Sequence, residues 1–448
     1  MLLDISFLLV YFLTPILYYF LLRMAKESIF KISLVNIIFI SLFLFSYLGL
    51  LPLYFQFESY RVEMGVESKQ IVFTVLICSI VCMFFFIIAV IFVRDVLKLR
   101  PLPFEISEIR ELYKLELLIM FVFFVVSCIF LFLYLSKVDY IALFLALDGK
   151  DAASQLARSN MTNNFPGKYH WYKLIMNDLA RFFLFSFFAA WLIKKNTIFF
   201  TLFFLMLIYS LFVSLMTAEK SPFVWLVIGL YLVFALIKYN GLVPKKSVLI
   251  VVSLILVALA ILHVYVAGAN SIFKGFSLLF SRAFTGTITP AYFYLEFFPE
   301  HMPFLFGKTF PNPGGILPYE PVQYTVELMN WRFPEHLESG VVGTMPTVFW
   351  AEAYANFGFY GIPIISFLVG VFVATISWLY SKVEISPITI GYFVWVVLIF
   401  RNLSVTGFSE YILNLYLIAV TIVFLALQFS KGKLVVRIYN PNHELSKN

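Results

Sequence analysis

Residues Ile71–Val93 read IVFTVLICSIVCMFFFIIAVIFV, 23 positions without a single charge and with Thr74 and Ser79 as the only hydroxyls. About 20 such residues carry a helix across the hydrocarbon layer. This stretch therefore reads as a membrane span, and similar runs recur on both sides of it. They lie near 4–22, 32–55, 71–93, 115–135, 178–193, 197–216, 223–238, 247–267, 359–380, 387–400 and 411–429. The chain of 448 residues is 62% hydrophobic and 13% charged, against roughly 45–50% apolar in soluble domains. The expectation is an all-α polytopic integral membrane protein of about eleven transmembrane helices with a large extracytoplasmic loop. A soluble fold, a collagen and a disulfide scaffold are excluded by the same composition.

Cys78, Cys82 and Cys128 all fall inside apolar runs, so neither a disulfide framework nor a zinc site is expected. Cys78 and Cys82, one helical turn apart, read as soft packing. The first run has Asp4 before it and Arg23 after it, the reverse of a secretory signal, and reads as a retained span.

Orientation follows from basic residues in short loops, which stay on the cytoplasmic side. One alternating set of loops holds Arg23, Lys26 and Lys31, then Arg94 to Lys114, Lys194 and Lys195, Lys238 to Lys246, Lys382, and a tail with Lys431, Lys433 and Arg437. The opposite set contains the two longest connections, near 136–177 and 268–345. Four regions result: 1–267 with helices one to eight and the outer loop near 136–177, the large outer loop 268–345, helices nine to eleven in 346–429, and a cytoplasmic tail 430–448. The net charge of +7 reads as inner-face anchoring to anionic membrane lipid, not as nucleic-acid binding.

Function is sought in the loop 268–345, because long loops without their own domains are usually functional. From Ser271 to Phe284, Lys274, Ser277, Ser281 and Thr285 fall on one helical stripe beside Phe273, Phe276, Phe280 and Phe284, which predicts a helix on the membrane surface. Proline- and glycine-rich chain follows over 299–321. Trp331, Arg332, His336, Glu335 and Glu338 then crowd into eight residues, a mixture suited to sugar hydroxyls and sugar C–H faces. After Pro346, Ala351, Ala355 and Gly358 make a small-residue helix face. Glu352 and Asn356 lie one turn apart beside it, and a carboxylate at membrane depth is costly unless it serves a site or a partner.

The pattern Glu352-x-Tyr354-x-Asn356-Phe357-Gly358-x-x-Gly361, after a proline-rich outer loop and before the last spans, resembles the Wzy-type O-antigen or oligosaccharide repeat-unit polymerases. Looser matches are Met216 to Ser221, Ser281-Arg282-Ala283 and Phe400-Arg401-Asn402, so the likeness covers about residues 210–410. The chain departs from the family at Lys220, where arginine is common, and at Asn312, where a basic residue is common. Lysine serves as a point charge without arginine's planar fork.

The resemblance implies a glycosyltransferase, GT-C-like in class, in the bacterial inner membrane with its site facing the periplasm. It would move a growing glycan from undecaprenyl diphosphate onto a new lipid-linked repeat unit, so donor and acceptor are both undecaprenyl-diphosphate-linked oligosaccharides. A polysaccharide co-polymerase that regulates chain length is the implied partner. The glycosyl–diphosphate bond supplies the driving energy, so no cofactor or metal is expected. Fixed cations would hold the leaving diphosphate: Arg282, Arg401 and Lys220 are the candidate clamp. Arg332, Tyr354 and Asn356 are further candidates for substrate binding. The attacking hydroxyl needs a base, for which His336, Glu352 and Glu338 are the candidates, with Glu352 and Asn356 alternatively forming a hinge of the pocket. Two other readings stand beside this one, an O-antigen ligase-type transferase and a lipid-linked oligosaccharide flippase or transporter.

Overall fold

The computed structural model describes residues 1–267, 272–335, 343–429 and 437, without the side chains of 151, 258–267 and 272–275. The principal helices are α1 (Leu2–Met24), α2 (Leu34–Ser46), α3 (Lys69–Ile91), α4 (Lys114–Leu135), α5 (Ala180–Lys194), α6 (Thr197–Leu215) and α7 (Lys220–Tyr239). They continue with α8 (Lys245–Ala267), α9 (Ile272–Phe280), α10 (Gly286–Phe297), α11 (Tyr324–Arg332), α12 (Phe349–Ser381), α13 (Pro387–Phe400) and α14 (Leu415–Phe429). Among the described residues, 10 helices are long and apolar enough to cross a membrane. The expected span near 247–267 falls on α8. The chain is therefore a multi-pass, all-helical membrane protein.

Local chemistry sets the helix ends. The Ser33 and Ser68 side chains accept from the backbone N–H of Asn36 and Ile71 at the starts of α2 and α3, and Asn196 caps α6 through Phe199 N–H. These bonds satisfy donors that a helix leaves orphaned. A helix terminus with unpaired groups would be costly next to lipid.

The chain forms two compact units. The first comprises 1–100, 280–377 and 400–414. At one of its ends Asp4 pairs with Lys69 at 2.9 Å. At the other, Arg94 pairs with buried Glu27, and Asp95 meets Lys26 at 3.7 Å and Arg100 at 2.8 Å. Helices α1 and α3 thus run parallel, as alternating first and third spans require. Within the second unit, Arg110 bonds Glu116 and Glu384, Lys194 bonds Glu111, and Arg437 bonds Ser381 O. Segments expected on the opposite side meet one another instead: Leu143 N–H bonds Met216 O at 3.1 Å, and Arg158 pairs with Glu219 at 2.8 Å. Within each unit, the basic loops therefore gather with basic loops.

One helix differs from expectation. The polar stripe of 277–285 does not stay on one exposed face: α9 runs through a π-helical turn, Ser281–Thr285, into α10, and Ser281 and Thr285 are buried while Ser277 and Phe280 are exposed. Tyr60, from a distant loop, satisfies Ser281 at 2.8 Å, and that partner is invisible in a helical-wheel pattern.

Candidate functional site

In the first unit, the site grows from a break in α12. Gly358 adopts φ 63 and ψ −158, a region open essentially to glycine alone. The break separates a short buried segment, 349–357, from the spanning part. Gly361 is equally constrained, because a Cβ there would strike Ala353 O. Both glycines of the sequence motif therefore have a backbone reason.

The motif's three polar side chains all reach neighbouring segments of chain. Glu352, 1% exposed, accepts through Oε2 from Ser409 N–H at 3.1 Å. Its Oε1 makes no hydrogen bond of good geometry among the described residues, although the Ser409 and Thr309 hydroxyls stand beside the carboxylate. Gly407 packs so closely on Glu352 and on the Tyr324 hydroxyl that a Cβ there would overlap both. Tyr354 donates to Phe298 O at 2.9 Å. Asn356 is fully buried: Oδ1 accepts from Gly307 N–H at 2.8 Å, and Nδ2 donates to Thr309 Oγ1 at 2.9 Å and Glu352 O at 3.0 Å. Ala355 and Asn356 carbonyls add bonds from Leu305 and Phe306 at 3.0 Å each. The segment 349–357 is thus a hub on which the chain around 298–309 and the turn 407–409 are fastened. Burial and the nearby Glu352 charge push the Tyr324 and Tyr294 hydroxyls well above the usual tyrosine range.

The expected cations divide between the units. Arg401 opens a 3-10 turn, Arg401–Ser404, that packs on α2, and Arg282 lies in the π-helical turn that also packs on α2. Arg282 is exposed. Lys220 opens α7 in the second unit. Arg332 binds Met64 O through Nε at 2.7 Å and lies over the Phe293 ring at 5.2 Å, which ties α11 to the loop before α3. His336 and Glu338 lie outside the described residues. Tyr354, Asn356 and Arg332 therefore engage the protein itself.

Sequence reading passed over four residues. Arg61 is buried, pairs with Glu58 at 3.0 Å and sits against Gly286, beside the turn that carries Arg282. Asp178 and Arg181 stand in the second unit, where Asp178 Oδ1 accepts from Trp395 Nε1 at 3.3 Å and Arg181 reaches Ser214 Oγ at 3.4 Å. A charged pair inside an apolar span was the available signal. Glu296 of α10, half-buried, has its carboxyl pushed up by burial, opposed by Tyr292 and Arg332. Among the described residues no three His, Cys, Asp or Glu side chains are placed to hold a metal ion.

No family model, no curated protein and no solved structure matches this chain.

Proposed function

We propose that the chain is a glycosyltransferase that polymerises polyprenyl-diphosphate-linked oligosaccharide units at the outer face of a bacterial inner membrane. The observation that supports this reading is the hub at 349–357. One buried carboxylate and its two polar neighbours fasten the 298–309 chain and the 407–409 turn, and the turns bearing Arg401 and Arg282 share α2. A transferase of this kind needs a rigid polar end to a membrane bundle, with fixed cations where a diphosphate leaves.

In the proposed step the acceptor hydroxyl attacks the anomeric carbon of the donor. A new C–O bond forms there as the bond to diphosphate oxygen breaks, and the hydroxyl proton passes to a base, for which His336 and Glu338 are candidates. Arg282 and Arg401 take the charge that develops on the leaving diphosphate. Glu352 acts as a positioning residue through Ser409 and Gly407.

The test is a purified-protein assay with two lipid-linked units. Doubled glycan with equimolar release of carrier diphosphate supports the reading, while translocation without new product assigns a flippase. Transfer only to a non-repeat acceptor assigns a ligase. Arg282→Ala and Arg401→Ala should each lower the rate by about 10²-fold, the usual loss of one transition-state charge contact.

A further inference from the structure

We propose that the short helices Ala142–Leu147 and Asp151–Met161 form a hairpin that lies in the plane of the membrane, with its exposed apolar side chains in the outer leaflet. The inference concerns the long connection 136–177 and stands whether or not the chain transfers glycan.

The hairpin is pinned where spans end. At its start, Leu143 N–H donates to Met216 O at 3.1 Å, one residue past α6. At its finish, the Tyr134 hydroxyl, next to last in α4, donates to Met161 O at 2.6 Å. Between them, Arg158 pairs with Glu219, the residue before α7. The two helices close on each other through Ser154 Oγ, which donates to Ala142 O at 2.8 Å, with Gly149 at φ 73 in the turn. A segment held at three span ends along its length follows the bilayer boundary and does not stand out from it.

The side chains sort in the way an in-plane helix requires. Along Asp151–Met161, Ala153, Leu156, Ala157 and Met161 share one side at helical spacing, and Gln155 and Arg158 share the other. Ala157 and Met161 are buried, which leaves Ala153 and Leu156 exposed. In the first helix Ala142 and Ala146 are buried, while Phe144 and Leu147 are more than half exposed, as are Tyr140 and Leu156. That many large apolar groups bare in one connection mark an interaction surface.

What covers them follows from what adjoins them. The connection leaves α4, the least buried of the 10 candidate spans among the described residues. The last turn of that span bares Phe132 and Leu133, so its lipid-facing surface leads up to Tyr140. Exposed Trp171 stands at the same level, because its neighbour Tyr172 packs on Tyr134 at 5.8 Å. Tyrosine and tryptophan collect at membrane interfaces. Asp148 and Lys150, 3.9 Å apart at the tip, offset each other's charge. Apolar contact, not attraction to anionic lipid, therefore seats the hairpin.

The test uses full-length protein in nanodiscs, in a background lacking Cys78, Cys82 and Cys128, with a nitroxide carried by Leu147→Cys, Leu156→Cys or Gln155→Cys. All three positions are exposed, so the label displaces no core side chain. Labels at 147 and 156 should collide several-fold more with oxygen than with an aqueous nickel chelate, and the label at 155 should show the reverse. The pattern should be the same in phosphatidylcholine alone and with phosphatidylglycerol added. Preferential collision with nickel at all three sites overturns the proposal, since the hairpin then stands in water. Shielding of 147 and 156 from both probes assigns the surface to a protein, a second copy included, and overturns the lipid assignment. Loss of the pattern without anionic lipid overturns the apolar basis of the seating.

Discussion

Asn356 makes more hydrogen bonds than either of the other two polar side chains of the hub. Its buried amide makes three hydrogen bonds to three different partners, and each partner left unpaired costs about 1–3 kcal/mol. Asn356→Ala should therefore destabilise the protein by about 3 kcal/mol, read as a clear fall in Tm in detergent. Asn356→Asp should fare badly too, because it keeps the acceptor and loses both donors. A Tm within about 1 °C of wild type for Asn356→Ala would remove the hub. Glu296 gives a pH-dependent counterpart. Burial raises its carboxyl, so the folded state favours the protonated form. That contribution is present at low pH and is lost as pH rises from the ordinary glutamate range near about 4.3. Glu296→Gln cannot lose it, so the Tm advantage of the variant should grow between about pH 4 and about pH 7. A constant gap would mean the carboxyl is not held up. At this scale the sequence exposed the motif but not its use. Glu352, Tyr354 and Asn356 stood out as polar groups beside a small-residue face, whereas the atoms they bind come from residues 298–309 and 409, beyond any local pattern.

The elements divide into those that lipid dictates and those that packing dictates. Spans were legible because the hydrocarbon layer imposes length and composition on each of them independently. The π-helical segments Leu174–Leu179 and Ser281–Thr285 were not, since an extra residue in a helical turn is held by neighbours. The helix expected to begin at 178 in fact starts near Tyr169. Lys173, Asp178 and Arg181 had lowered its hydropathy, and Trp395 and Ser214, which receive two of those charges, lie far off in sequence. Glycine marks where helices approach. Gly370 of α12 touches α3 so closely that a Cβ would lie 2.5 Å from Phe86 O and 2.7 Å from the Ala89 side chain. Since overpacked helix contacts force backbones apart, Gly370→Leu should sharply reduce the monodisperse peak in fluorescence size exclusion. Leu368→Ile, two residues away on an exposed position, should leave it intact, and equal behaviour of the two would deny the close contact. Gly358→Ala should cost about 1–3 kcal/mol through backbone strain alone, with the Phe304 ring 3.1 Å from the new methyl adding to it.

For the whole molecule, the distribution of charge is the argument that sequence alone could make and that the ion pairs inside each unit support. Arg94, Lys26 and Arg100 share one end of the first unit, and Arg110, Lys194 and Arg437 share contacts at one end of the second. Basic residues in short loops resist translocation, while long loops cross regardless of charge. The ends carrying 136–177 and 268–345 should therefore face away from the cytoplasm. Single cysteines test this in a background lacking Cys78, Cys82 and Cys128. Gln155→Cys and Glu320→Cys, both at exposed positions of the long connections, should react with an impermeant maleimide added to spheroplasts. Ser107→Cys and Lys238→Cys, also exposed, should react only after the membrane is permeabilised. Reaction of all four from one side would break the alternation of spans. A uniform reversal would keep the fold but place the hub and Arg282 on the cytoplasmic side, where a transferase drawing on exported lipid-linked units could not meet its substrate.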